Sequence, residues 1–122
     1  MNQEVSETLK EESKELFEAK EAAETKAAEL STQKGAKVYA LVFNTPEGIV
    51  VGYVQQPNRN TKLAVFDAML QGPSAGGELI LNTCLLKEES HPRLTTDDDI
   101  FTSACIECFS LFKIYPNELK KK

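Results

Sequence analysis

Cys105-Ile106-Glu107-Cys108 spaces two thiols as zinc sites and redox dithiols do, and Cys84 and His91 could complete a ligand set. Zinc pairs usually sit on turns and redox pairs at helix N-termini, whereas this pair falls inside a stretch of helical spacing, on its apolar side. Small thiols are common in cores, so all three cysteines read as packing residues, and no metal or cofactor is expected. Asp97-Asp98-Asp99 offers three carboxylates to a divalent cation. The same run after Thr96 also makes a helix start, with the threonine as cap and the carboxylates at the positive end of the dipole. His91 precedes Pro92 in a charged stretch and reads as an exposed side chain.

Gly72-Pro73-Ser74-Ala75-Gly76-Gly77 is rich in glycine ahead of a helix, as phosphate-binding loops are, but it lacks their lysine and preceding strand. Arg59, Lys62 and Lys120-Lys121-Lys122 are cations without the interleaved aromatics of a single-strand platform. Serines are present with no base that the sequence nominates, so no triad is read and no catalytic residue is assigned. The chain is therefore expected to work without catalysis.

Composition agrees with that expectation. A length of 122 residues suits one small domain, and 41% hydrophobic with 27% charged residues permits a packed core. Fourteen basic residues against nineteen acids, a net charge of -5, argue against a surface built to neutralise phosphates. The acidic start Met1-Asn2-Gln3-Glu4 lacks the features of a secretory leader, and Val38 to Phe43 is far shorter than the roughly 20 apolar residues of a membrane span. With an odd number of cysteines, a reducing cytoplasm is expected.

The elements that would position these groups fall into three parts. Residues 1–35 form an acidic helical arm: the first 34 positions hold nine glutamates, five lysines and many alanines, without proline or glycine. Pairs such as Glu11/Lys14 and Lys20/Glu24 each add about 0.2–0.5 kcal/mol to an exposed helix. Gly35 is its stop. Val5, Leu9, Leu16, Ala19, Ala23 and Leu30 make a thin apolar seam, with Phe17 beside Leu16. Such a helix is either solvated, lightly docked on its own domain, or paired with a partner.

Residues 36–116 read as a small domain and 117–122 as a basic tail. Val38 to Phe43 and Ile49 to Val54 are rich in β-branched and aromatic residues, and Asn44 to Gly48 is a turn, which predicts a β-hairpin. Both faces of its first strand are apolar, so helices or another chain must cover each. A helix is expected from Thr61 to Gln71 with Leu63, Phe66, Met69 and Leu70 on its apolar face. A second, capped by Ser74, runs to Leu86, with a strand over Leu79 to Leu86 as the alternative. Lys87 to Thr95 reads as a loop, and a last helix runs from Thr96 to about Lys113 with Ile100, Phe101, Ala104, Cys105, Cys108, Leu111 and Phe112 inward. The fold class is α+β: a long N-terminal helix, then a hairpin packed with about three short helices.

From about residue 50 to 113, the chain resembles small phage tail assembly chaperones. The resemblance rests on Tyr53-Val54-Gln55-Gln56-Pro57, Asp67-Ala68-Met69-Leu70, the run from Ala75-Gly76-Gly77 to Leu85-Leu86, and Thr96 to Asp99 ahead of a final helix. It implies a non-enzymatic protein that binds the tape-measure protein, or another component such as the tube protein, while a tail is built in the cytoplasm of an infected cell. Leu9, Leu16 and Phe17 on the arm and Tyr39, Leu41 and Phe43 on the strand are the candidate contacts, although the strand residues equally suit an ordinary core. The alternative is a structural head or tail protein of the virion that oligomerises through its N-terminal helix.

Overall fold

The computed structural model describes residues 2–110, with side chains from residue 13 onward except at Pro73. It is an α+β fold in three layers: one long helix, a two-stranded antiparallel sheet, and a group of short helices.

Helix α1 (Asn2–Lys34) is the uninterrupted glutamate, lysine and alanine stretch, and it stops at Gly35, whose φ of +66° suits a residue without Cβ. Gly35 donates its N–H to the Ser31 carbonyl at 3.0 Å. Ser31 also ties the helix to the first strand, since its Oγ accepts from the Val38 N–H at 2.8 Å and donates to the Ala27 carbonyl at 2.8 Å. The chain thus reverses into β1 (Val38–Thr45), turns through Pro46 and Glu47, and returns as β2 (Gly48–Gln55). Tyr39 pairs with Val54, Leu41 with Gly52 and Phe43 with Val50, so the strands run a residue or two closer to the turn than their β-branched runs indicate. Thr45 closes the turn by donating its hydroxyl to the Gly48 carbonyl at 2.6 Å.

Alternation along the hairpin divides the core in two. On one face Val38 and Tyr53, flanked by Ala40, Val42 and Val51, bury Ala23, Ala27 and Leu30 of α1. The second half of the arm is therefore docked, through Ala23 and Leu30 of the seam together with Ala27, while the Val5 and Leu9 side chains lie outside the described residues. Lys26 reinforces the docking with an ion pair to Glu89 at 3.0 Å and by lying over the Tyr53 ring. On the other face Leu41, Val50 and Val54 meet α2 (Arg59–Met69), α3 (Pro73–Cys84), the single-turn α4 (Arg93–Thr96) and α5 (Asp98–Phe109). The requirement that each face be covered is met within the chain itself.

Several local expectations are corrected. The expected second helix is present and the strand alternative over Leu79 to Leu86 is set aside, but α3 begins at Pro73 with Gly72 as its cap, not Ser74, and ends at Cys84. Pro73 is pre-organised for a first helical position, which moves the start upstream. Asp97, not Thr96, caps α5, accepting from the Asp99 and Ile100 N–H groups, while Thr96 ends α4, whose first three residues fall in what reads as loop. Helix α2 turns Val65 inward, and Leu63, Phe66 and Leu70 outward. Leu111, Phe112, the expected end at Lys113 and the basic tail lie outside the described residues.

Candidate functional site

Helix α2 starts because Asn58 accepts the Thr61 N–H at 2.8 Å. One side packs on α3, where Gly76 leaves room: a Cβ there would lie 2.7 Å from Met69 Cγ and 3.4 Å from Val65 Cγ1. Among the described residues nothing covers the opposite side. It presents Leu63, Phe66 and Leu70 at i, i+3 and i+7, which are 61%, 49% and 76% exposed. Large apolar residues grouped in a stripe, in contrast to ones scattered singly, mark a contact surface.

The structure separates the residues expected to bind partners. Phe17 stands 61% exposed on α1, and Leu16 is half-buried beside it. The Leu9 side chain lies outside the described residues. Leu41 is buried in the main core, which makes it a packing residue that a partner cannot reach in the folded chain. Tyr39 and Phe43 are half-buried, Phe43 against that core and Tyr39 under the Lys37 ammonium, which lies 4.9 Å from its ring. The α2 stripe replaces Leu41 as the stronger surface. Sequence reading included Leu63, Phe66 and Leu70 as apolar but faced them inward, because Val65 among them blurs the helical phase.

The groups that first suggest chemistry have structural tasks. Cys84, Cys105 and Cys108 are buried in one cluster as free thiols. Burial pushes all three upward in pKa, Cys108 to about 12, so they are protonated and weakly nucleophilic at neutral pH. Asp97 is held below the ordinary carboxylate range, first by the Ile100 N–H it accepts and then by Arg93. Arg93 reaches Asp97 Oδ2 at 3.2 Å, Glu47 Oε2 at 3.3 Å and Thr45 Oγ1 at 3.2 Å, clamping the hairpin turn to the start of α5. His91 is exposed and its Nδ1 accepts the Arg93 N–H at 3.1 Å. The Gly76-Gly77 pair serves helix packing, with position 77 directly against the Cys105 carbonyl.

Among the described residues no three His, Cys, Asp or Glu side chains are grouped as a metal site, and no helix is long and apolar enough to cross a membrane. Comparison with protein-family models, curated proteins and solved structures finds no match to the chain.

Proposed function

We propose that this protein is a non-enzymatic assembly chaperone or adaptor that holds another polypeptide on the outer side of α2. The observation that carries the reading is the stripe of Leu63, Phe66 and Leu70. Completing the burial of three such side chains contributes on the order of 3–6 kcal/mol before the costs of association. That magnitude suits a reversible hold on an apolar segment, which a chaperone must release. The resemblance to tail assembly chaperones names the tape-measure protein or another tail component as partner and the infected cytoplasm as location.

The test is comparative capture. Full-length protein and a Leu63→Ser/Phe66→Ser/Leu70→Ser variant are incubated with lysate of the native host, and captured proteins are quantified by mass spectrometry. The reading requires a dominant partner that the folded variant loses. Equal capture by both proteins, with equal thermal midpoints, rejects α2 as the binding surface.

A further inference from the structure

The two edges of the hairpin are treated differently. The outer edge of β2 is occupied by residues 85–91: Leu86 donates to the Tyr53 carbonyl at 2.9 Å, His91 donates to the Val51 carbonyl at 2.9 Å, and Ser90 Oγ accepts the Tyr53 N–H at 3.0 Å. Among the described residues the outer edge of β1 has no such cover. Gln56 donates to the Lys37 carbonyl at 2.7 Å, which sets the ladder's phase and turns the main-chain groups of Val38, Ala40, Val42 and Asn44 outward. Val38 donates to Ser31 Oγ, whereas the N–H and C=O groups of Ala40 and Val42 meet no protein partner among the described residues.

An edge of this composition is unusual for an exposed strand. Val38-Tyr39-Ala40-Leu41-Val42-Phe43 contains no proline, charge or glycine that would deter pairing. Open grooves of about 550 and 470 Å³ flank it, one against Glu24, Ala28 and Ser31 of α1, the other against Asp99 and Ser103 of α5.

We propose that this edge pairs with the same edge of a second copy of the chain, antiparallel about Leu41. In that register Ala40 exchanges both main-chain hydrogen bonds with Val42 of the second copy, and the two hairpins join as one four-stranded sheet. The edge is complementary to itself in charge. Lys37 stands at its beginning, and at its end the carboxylates of Glu47, Asp97 and Asp99 outnumber the Arg93 guanidinium that pairs with the first two, so an antiparallel partner brings each basic end to the other's net acidic end.

The helix layer is complementary as well. Helix α1 spans both strands of its hairpin, so adjoining hairpins, with strands ~4.8 Å apart, place the two helices roughly 10 Å apart, a normal packing distance. Ser31 lies level with Val38, and the rises of helix and strand bring Glu24 level with Leu41. Phe17, Lys20, Glu24, Ala28 and Ser31 share the side of α1 toward the free edge. Antiparallel helices then set the exposed Phe17 over Ala28 and Ser31 of the other copy and bring the two Glu24 carboxylates together at the axis, each with Lys20 of the other copy within a turn to offset their repulsion. This surface is separate from the α2 stripe, and the pairing holds whichever partner α2 takes.

Sedimentation equilibrium of the full-length protein tests it. The expected species is a dimer of twice the 13.5 kDa chain mass. Ala40→Pro removes an outward N–H and none of the hairpin's own ladder bonds, adds ring atoms beside the α1 contact, and shifts the species to monomer. A charge swap provides a second reading if that variant misfolds: Lys20→Glu weakens the dimer at least threefold, and adding Glu24→Lys restores it. Register is read by oxidising a mixture of Lys37→Cys and Thr45→Cys chains, which should cross-link only with each other. A monomer at about 100 µM overturns the proposal, as does a dimer that Ala40→Pro leaves intact and the cysteine pair fails to cross-link, or an edge found occupied only by a different protein.

Discussion

Gly77 of α3 lies so close to the Cys105 carbonyl of α5 that a Cβ at position 77 would overlap it. The obstacle is main chain, so it cannot swing aside as a side chain would. The two helices must separate to admit even a methyl group, although alanine has the better helix propensity by about 1 kcal/mol. Gly77→Ala is expected to destabilise the fold by about 2 kcal/mol net, the range of an overpacked core. Urea denaturation followed by circular dichroism measures it, and a stabilised variant would show that propensity outweighs the contact.

Gly77 also shows what the sequence can and cannot disclose. A glycine pair in a helix is visible as a weak first turn, but its reason lies on α5, nearly thirty residues away. The hairpin was legible because its β-branched runs and the Pro46-Glu47-Gly48 turn are local signals. The docking of α1 was harder to read, because Ala23 and Ala27 make a contact of small residues inside an acidic helix. Helix α4 is one turn long, with no periodicity to detect. The cysteines were legible as core because Cys105 and Cys108 share the apolar side of α5 with Ile100 and Ala104. The orientation of α2 depends on what Gly76 admits, and the pattern of that segment alone is apolar on both sides.

The buried thiols predict a loss of stability in alkali. A thiol whose folded pKa is raised stays protonated in the native state after the unfolded chain has ionised. Stability then falls as pH rises from the ordinary value of 9.0 until Cys108 itself ionises at about 12. Tyr53, also raised by burial, acts in the same direction. The urea midpoint should decline steadily above about pH 9, and Cys108→Ala should flatten the decline. At neutral pH a thiol reagent should label the three cysteines slowly in the folded protein and quickly in urea.

At the acid end Asp97 governs. Its carboxylate has a folded pKa below the ordinary 3.8, so its contribution is present above that value and disappears as pH falls through the lower folded value. Asp97→Asn keeps an oxygen for the Asp99 and Ile100 N–H groups but loses the charge that Arg93 meets, and Asp97→Ala loses both. Thermal midpoints near neutrality should fall in the order wild type, Asn, Ala. Wild type and Asn should converge once the carboxyl is protonated; persistence of their gap below about pH 2 would contradict the assignment.

Helix α2 allows its two sides to be separated by measurement. Val65 is fully buried against α3, so Val65→Ala removes packed methyl groups and should cost about 2 kcal/mol. Leu63, Phe66 and Leu70 face away, so serine at any of them should change stability by about 0.5 kcal/mol or less beyond its small helix-propensity cost. The same three substitutions should abolish partner capture, whereas Val65→Ala, assayed at a temperature where it remains folded, should retain it. Residues that cost nothing to fold and everything to bind are the signature of a surface kept apolar for a partner. If Leu63→Ser and Leu70→Ser instead unfold the domain as readily as Val65→Ala, the stripe is core and the binding surface lies elsewhere.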